Sequence, residues 1–288
     1  MNIKTFFIAL VISFSFQQFA QADSAHVKIP AGTFKMGCST QDKRCDKDEG
    51  PRGGTSVFVK TFYIDPKEVS VKDYRACIKS GYCQRPKDHT RNQYCNLDAV
   101  GRENHPINCV DWQDAVDYCQ TKGGRLPFEA EWEKAARAGS TTPYPPYPSS
   151  SETSVNSISD SSKGLNISCK QAILDDGKTH GSQADELDGC GEDHTWPRAS
   201  RAANQYGLYD MHGNVSEWIA NWYSSKAIVE YYAKGNLIGS QTGKQRLVRG
   251  GSWDENTQNL RSSFRNVKPP ISGKAIYGSI GFRCVYDK

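Results

Sequence analysis

The chain has no large excess of charge of one sign. Its 36 Lys and Arg residues and 32 Asp and Glu residues give a formal net charge of +4 over 288 residues. A nucleic-acid-binding domain typically carries a clustered basic surface, so this balance predicts no nucleic-acid partner. With 37% hydrophobic and 24% charged residues, the composition is that of a folded domain and not of a disordered chain.

The chain also lacks an apolar run long enough to cross a bilayer, which takes about 20 residues. The most apolar stretch, residues 6–16, follows the basic Lys4 and precedes small residues at Ala20 and Ala22. This order is typical of a cleaved secretory signal peptide. The sequence therefore predicts a signal peptide over 1–22 and a mature domain over 23–288. We expect that domain to be exported, periplasmic or extracellular, with no transmembrane segment after cleavage.

Two common metal-binding patterns are missing as well. No CxxC pair has zinc-finger spacing, and the six histidines show no HxxxH or HExxH pattern. Ten cysteines in an exported chain indicate disulfides. Their spacing suits four local bridges and one long closure, although spacing alone leaves other pairings open. These pairs are Cys38–Cys45, Cys77–Cys83, Cys95–Cys109, Cys169–Cys190 and Cys119–Cys284.

Periodic segments are few and short. Residues 28–36 and 55–64 are rich in β-branched and aromatic residues and predict strands. Three helices are predicted, with Ser70 and Asp111 as N-caps of the first two and Pro127 opening the third. Between about residues 140 and 193, Ser, Pro, Gly and Asp dominate and periodicity is lost, which indicates a long irregular insertion. The sequence thus predicts an α+β fold with little regular structure, stapled by disulfides.

Seven motifs follow one another in a recognisable order. They are IPAGTFKMG (29–37), FYIDPKEVS (62–70), HPINCVDWQDAVDYC (105–119), GGRLPFEAEWEKAARAG (123–139), YGLYDMHGNVSEW (206–218), RLVRGGSW (246–253) and IGFRC (280–284). Together they resemble the formylglycine-generating enzyme family, also called the sulfatase-modifying factor family, over nearly the whole mature chain. The resemblance implies an irregular α+β domain related to the C-type lectin-like fold.

The family's activity is the copper-dependent oxidation of a sulfatase cysteine to formylglycine. The resemblance implies that two cysteines in the segment after the GGS motif bind Cu(I), for which thiolates are suited. Here those two positions hold Glu255 and Leu260. A second family cysteine pair is replaced by Ala136 and Asn266, whereas Cys119–Cys284 matches a family disulfide. The replacements predict that copper is not bound and leave the oxidase activity in doubt.

The resemblance also implies a structural calcium site in the DMHGNVSE motif. The matching positions are Asp210, Gly213, Val215 and Glu217, whose carboxylate and carbonyl oxygens are ligands that Ca²⁺ prefers. From the residues alone, local caps or ion pairs explain Asp210 and Glu217 more often than calcium does. Remnants of a second family calcium site are expected at Asn156 and Asp193.

The resemblance also implies that the segment 252–265 lines a substrate groove. Its candidate residues are Ser252, Trp253, Asp254, Glu255, Asn256 and Arg265. Asp254 and Glu255 would supply adjacent carboxylates, although an exposed polar loop explains the same pattern. Nearby arginines predict either a basic groove for an anionic or peptide ligand or structural ion pairs. They are Arg246, Arg249, Arg261, Arg265 and Arg283.

Three functions remain open from the sequence. The first is a non-catalytic binding or accessory module of the cell envelope, with a protein, peptide or glycan ligand. The second is a sulfatase-modifying-type oxidase, or another metal-dependent modifying enzyme, that uses the 252–265 groove. The third is a structural partner in a larger envelope complex, suggested by the insertion. The two replaced cysteines favour the first.

Overall fold

The computed structural model describes residues 26–87, 90, 92–147, 164–177, 190–270 and 277–287. Short strands and helices alternate with long loops in these ranges. The strands are β1 Val27–Ile29, β2 Gly32–Met36, β3 Thr55–Val59, β4 Phe62–Ile64, β5 Ser216–Trp222, β6 Arg246–Arg249, β7 Asn266–Lys268, β8 Ile280–Gly281 and β9 Val285–Tyr286. The α-helices are α1 Val71–Lys79, α2 Trp112–Thr121, α3 Glu129–Arg137 and α4 Ala227–Glu230. The fold is α+β and low in regular structure.

Each strand predicted in the N-terminal part is divided into two. β1 pairs with β4, and β4 with β9, while β2 and β3 form a separate antiparallel hairpin. The first break falls at Pro30, which has no N–H to donate to a continuing ladder. The second falls at Lys60 and Thr61, and the Thr61 hydroxyl accepts a hydrogen bond from Ala31 N at 3.1 Å. Because of the two breaks, β1 and β4 lie in one sheet while their neighbours in the chain, β2 and β3, form another.

The central sheet has the strand order β7-β6-β5-β8. β5 pairs antiparallel with β6 and parallel with β8. In this register Glu217 lies opposite Arg249 on one side and Gly281 on the other. The sheet thereby brings the GNVSEW, RGGSW and GFRC motifs together, although they are far apart in the chain.

The first two helices begin where their caps predict. The Ser70 hydroxyl accepts a hydrogen bond from Asp73 N at 2.9 Å at the start of α1. At α2, Asp111 N donates to the Asp114 carboxylate at 3.0 Å. These contacts satisfy N–H groups that a helix start leaves without intrahelical partners.

The third helix starts at Glu129, two residues beyond the predicted Pro127. Phe128 has no side-chain cap hydrogen bond, but its N–H donates to the Glu131 carboxylate at 2.8 Å. The Phe128 ring also lies under the Arg125 guanidinium at 4.4 Å. All nine residues of α3 are buried, so the i, i+4 ion pair between Glu133 and Arg137 lies in the interior.

Two hydrophobic cores flank this frame. One lies under α1 and α2 and contains Trp218 and Phe282. The other lies under α3 and contains Trp132 and Ile219. Because Trp218 and Ile219 are consecutive residues of β5, they point to opposite faces of the sheet. The central sheet thus separates the two cores.

All ten cysteines are paired, as predicted, in five disulfides, and none is free. Cys119–Cys284 joins α2 to the end of the chain across 165 residues. Cys169–Cys190 closes part of the insertion. Among the residues that the structure describes, no helix is long and apolar enough to cross a membrane.

The long disulfide should stabilise the chain more than a short one. In the loop-entropy model, a closure of 165 residues contributes about 5 kcal/mol and a closure of 6 residues about 2 kcal/mol. We expect Cys119→Ala/Cys284→Ala to lower the free energy of unfolding in guanidinium by roughly that difference more than Cys77→Ala/Cys83→Ala. Equal losses in the two variants would contradict the model.

Candidate functional site

The segment 252–265, called the candidate segment below, follows a tight turn that only glycine fits. Gly250 and Gly251 follow β6 with φ angles of +100° and +70°. A Cβ at Gly251 would lie 2.5 Å from Leu260 Cδ1, closer than non-bonded carbons approach. The turn therefore holds Leu260 directly against the backbone of the GGS motif.

Leu260, at the position of the second family cysteine, is fully buried. It packs in an apolar cluster with residues of the predicted insertion, namely Tyr144, Ile167, Ala172 and Leu174. Two hydrogen bonds fix the insertion on the same segment: Tyr144 Oη donates to Thr257 O, and Asp175 N donates to Glu255 O at 3.1 Å. The insertion covers the place where the family's copper ligand would lie.

Glu255, at the position of the first family cysteine, is half-buried. Its carboxylate accepts hydrogen bonds from Asn266 Nδ2 at 3.1 Å and from Ser216 Oγ at 3.4 Å. Burial, with a smaller contribution from the neighbouring Asp254 carboxylate, raises the pKa of Glu255. Glu255 is thus held by hydrogen bonds and Leu260 by apolar packing.

The other groove candidates divide into buried and exposed residues. Ser252 and Trp253 are buried, and the Trp253 ring lies 5.3 Å from that of Tyr94. Asn256 is exposed, and its side chain accepts a hydrogen bond from Gln258 N at 3.0 Å. Asp254 and Glu255 are half-buried, and Gln258 is exposed as well.

The predicted basic groove is not formed. Arg265 is buried and makes a bidentate ion pair with Glu129, at 2.7 and 2.9 Å. Arg249 is fully buried and bonds Glu129 at 2.9 Å and Glu133 at 2.6 Å. Glu133 also accepts from Arg137 Nε at 2.8 Å. These guanidiniums face carboxylates of α3 because a buried charge requires an opposite charge.

The remaining three arginines have internal partners too. Arg261 makes a bidentate pair with Glu49, both contacts at 2.7 Å. Arg283 binds Glu217 at 2.7 Å. The Arg246 guanidinium lies between the Trp112 and Trp222 rings, 3.6 and 3.5 Å from their centroids. Of the two sequence-based interpretations, the structural one is therefore correct.

The DMHGNVSE loop, predicted to bind calcium, is held in an unusual backbone conformation. Asp210, Gly213 and Asn214 have φ angles of +54°, +89° and +63°. The Asp210 carboxylate accepts a hydrogen bond from Ala199 N at 2.6 Å. Both Glu217 oxygens already accept hydrogen bonds, from Arg283 and from Trp132 Nε1 at 2.8 Å. A calcium ion bound there would share the Glu217 carboxylate with the guanidinium.

A residue absent from the sequence analysis, Glu68, lies beside this loop. It is fully buried, its Oε1 accepts from Asn214 Nδ2 at 3.1 Å, and its Oε2 has no donor among the described residues. Burial, together with the Asp210 charge, raises the pKa of Glu68, while burial also raises the pKa of Asp210. The charges of these two buried carboxyl groups oppose each other, and a proton or a cation would relieve that repulsion.

His212 connects the loop to the candidate segment and to the insertion. Its Nδ1 is 2.7 Å from Tyr147 Oη and its Nε2 is 3.0 Å from Ser262 Oγ. Burial, with smaller contributions from nearby arginines, lowers the pKa of His212 to about 3. The imidazole is therefore neutral at physiological pH, and its two hydrogen bonds link the loop to the insertion and to the candidate segment.

A family model, described as "Sulfatase-modifying factor enzyme 1-like domain", matches residues 14–288. The chain belongs to this family. The resemblance read from the seven motifs is thereby confirmed, and so is the fold that it implies.

Two named relatives and one solved structure place the chain within the family. The formylglycine-generating enzyme of Thermomonospora curvata is 30% identical over 302 residues, covering 91% of this chain and 93% of that protein. The protein named inactive C-alpha-formylglycine-generating enzyme 2 of Mus musculus is 26% identical, covering 91% and 85%. PvdO from Pseudomonas aeruginosa superposes with a TM-score of 0.67 at 27% identity, covering 91% of this chain and 94% of that one.

The second calcium site expected from the sequence lies only partly within the described residues. Asn156, one of its two expected remnants, lies outside them. Asp193, the other, is exposed, and its charge interacts with Arg102. The calcium assignments of Asp210, Gly213, Val215 and Glu217 stay predictions.

The buried ion pairs on α3 of this family domain should be essential to its stability. Arg249→Met would leave Glu129 and Glu133 with one guanidinium fewer in the interior, which costs about 3–5 kcal/mol of unfolding free energy. Arg85→Met removes a comparable pair, with Asp98, whose side chains are 50% and 43% exposed. That control should lose at most about 1 kcal/mol. Urea unfolding measures both, and similar small losses would refute the structural role.

Proposed function

We propose that this protein is an exported, non-catalytic binding or accessory module built on the formylglycine-generating enzyme fold. One observation carries the proposal. All ten cysteines are disulfide-bonded, and the two positions of the family's copper ligands hold Glu255 and the buried Leu260. The chain therefore has no thiolate to offer to Cu(I), the ligand type on which the family's oxidation depends.

Two further features support this function. The insertion packs on Leu260 and bonds to the backbone of Glu255, so the family's reaction centre would be covered as well as unliganded. A relative aligned over 91% of the chain is itself named inactive. Together they favour loss of the oxidation over a rearranged copper site.

Export is the second part of the proposal. Five disulfides form and persist in oxidising compartments such as the bacterial periplasm or the extracellular space. The predicted signal peptide over residues 1–22 would direct the chain there. Within the candidate segment, Asn256 and Gln258 are exposed and Asp254 and Glu255 are half-buried. Its polar groups suit a protein, peptide or glycan ligand.

Purified protein should neither bind Cu(I) tightly nor convert a cysteine-containing sulfatase peptide to formylglycine. Copper is titrated in competition with a chromogenic Cu(I) chelator, and conversion is followed by peptide mass. The Thermomonospora curvata enzyme, handled identically, is the positive control. Copper-dependent conversion by this chain would establish the alternative, a sulfatase-modifying oxidase, and conversion without copper would indicate another modifying activity.

We also propose that the loop from Asp210 to Glu217 holds a structural calcium ion. The fit rests on the buried, donor-free Oε2 of Glu68 and the adjacent Asp210. A divalent cation would relieve the repulsion between these two buried carboxyl groups. The carbonyls of Gly213 and Val215 are hard oxygen ligands within the same loop. Such an ion would stabilise a loop-rich domain without taking part in chemistry.

Calcium should raise the melting temperature relative to EGTA. At a hundred times its Kd, a bound ion adds about 2.7 kcal/mol, which corresponds to about 5 °C in a domain of this size. Asp210→Asn should abolish the difference, and Asn tolerates the positive φ angle at this position. Asp117→Asn, on the surface of α2, should retain it. A melting temperature that does not respond to calcium in the unsubstituted protein would refute the site.

A further inference from the structure

We propose that a cavity at the end of α3, centred on Lys134, binds a small organic anion. The cavity has a volume of about 360 Å³, within the range of small-molecule sites. Its lining includes Lys134, Arg137 and Lys35 but no acidic residue. Two other described cavities, of about 430 and 550 Å³, carry both acidic and basic residues. The Lys134 cavity thus differs from them in that only basic charged residues line it.

Lys134 itself has no acidic partner among the described residues. Only 6% of the residue is exposed, and Nζ donates to Pro30 O at 2.6 Å and Gly32 O at 3.0 Å. Both acceptors are neutral carbonyls, while a buried ammonium normally has an opposite charge beside it. Burial lowers the pKa of Lys134, and no carboxylate counteracts it. An ammonium group can donate three hydrogen bonds, so one remains for a ligand.

The charges around α3 explain why Lys134 is left without a partner. Its carboxylates, Glu129, Glu131 and Glu133, are bound by four guanidiniums. These belong to Arg125, Arg137, Arg249 and Arg265. Because each of these three carboxylates already accepts hydrogen bonds from at least one guanidinium, no carboxylate of the helix is available to Lys134. An anion entering the cavity would supply the missing charge.

The other lining groups define the ligand class. Phe34 and Tyr206 provide aromatic surface, and Ser140 and Thr141 provide hydroxyls. A monoanion with a compact apolar body fits this combination, with its charged end at Lys134. The proposal is independent of the candidate segment at 252–265, since the cavity shares no lining residue with it.

Benzoate, its uncharged isostere benzamide and inorganic phosphate are the probes, with calorimetric titration as the measurement. We expect saturable benzoate binding, no benzamide binding and weaker phosphate binding. Lys134→Gln should weaken benzoate binding about tenfold or more, the effect of losing one charge-assisted hydrogen bond. Lys122→Gln, an exposed lysine of the 550 Å³ cavity, should leave it unchanged. Absent benzoate binding, or equal losses in both variants, would overturn the proposal.

A second measurement uses the unsubstituted protein and so does not depend on the folding of a variant. Lysines are acetylated in the native state with and without benzoate, and the modified peptides are quantified by mass spectrometry. Benzoate should slow acetylation of Lys134 but not of Lys226, whose side chain is 73% exposed. If benzoate protects both lysines equally, or neither, the ligand does not lie at Lys134.

Discussion

The structure depends on the buried charge network around α3. Glu129 and Glu133 lie in the interior and are neutralised by Arg249 and Arg265, which come from the strand before the candidate segment and from its end. Burial raises the pKa of Glu129, but the adjacent arginines outweigh burial and lower it overall. The carboxylate thus remains charged and holds the guanidiniums in place. Because buried ion pairs are costly when one partner is missing, this network fixes the path of the chain from residue 249 to residue 265.

This network holds the backbone of the candidate segment but does not involve the residues at the family's copper positions. Residues 250–260 are anchored at both ends by arginines that contact α3 and Glu49. Neither Glu255 nor Leu260 takes part in these anchoring ion pairs. Replacing two thiolates by Glu255 and Leu260 is therefore compatible with the same backbone. Leu260 even gains apolar contacts with the insertion, each buried CH₂ contributing about 0.8 kcal/mol.

The sequence was most informative where local chemistry decides the outcome. Spacing suggested the four local disulfides, and cap residues predicted the starts of α1 and α2, because those signals lie close to their effect in the chain. The Cys119–Cys284 pair, 165 residues apart, was supported by the family resemblance instead. Local signals left the arginines open, since their partners lie far away in the chain: Arg249 pairs with Glu129 across 120 residues. Glu68 gave no signal at all. Its proximity to Asp210 depends on how two loops pack, which no local pattern encodes.

The charge balance of α3 also limits what this fold can bind. A helix with three carboxylates and two basic residues of its own would be balanced by one further arginine, yet three come from outside it: Arg125, Arg249 and Arg265. The excess positive charge has to be solvated, paired with more distant acids or met by a ligand. Arg125 is paired with Asp287 and Arg265 with Asp48. Lys134, at 6% exposure, has no acid beside it among the described residues, and the cavity that it lines is where solvent or a ligand meets its charge.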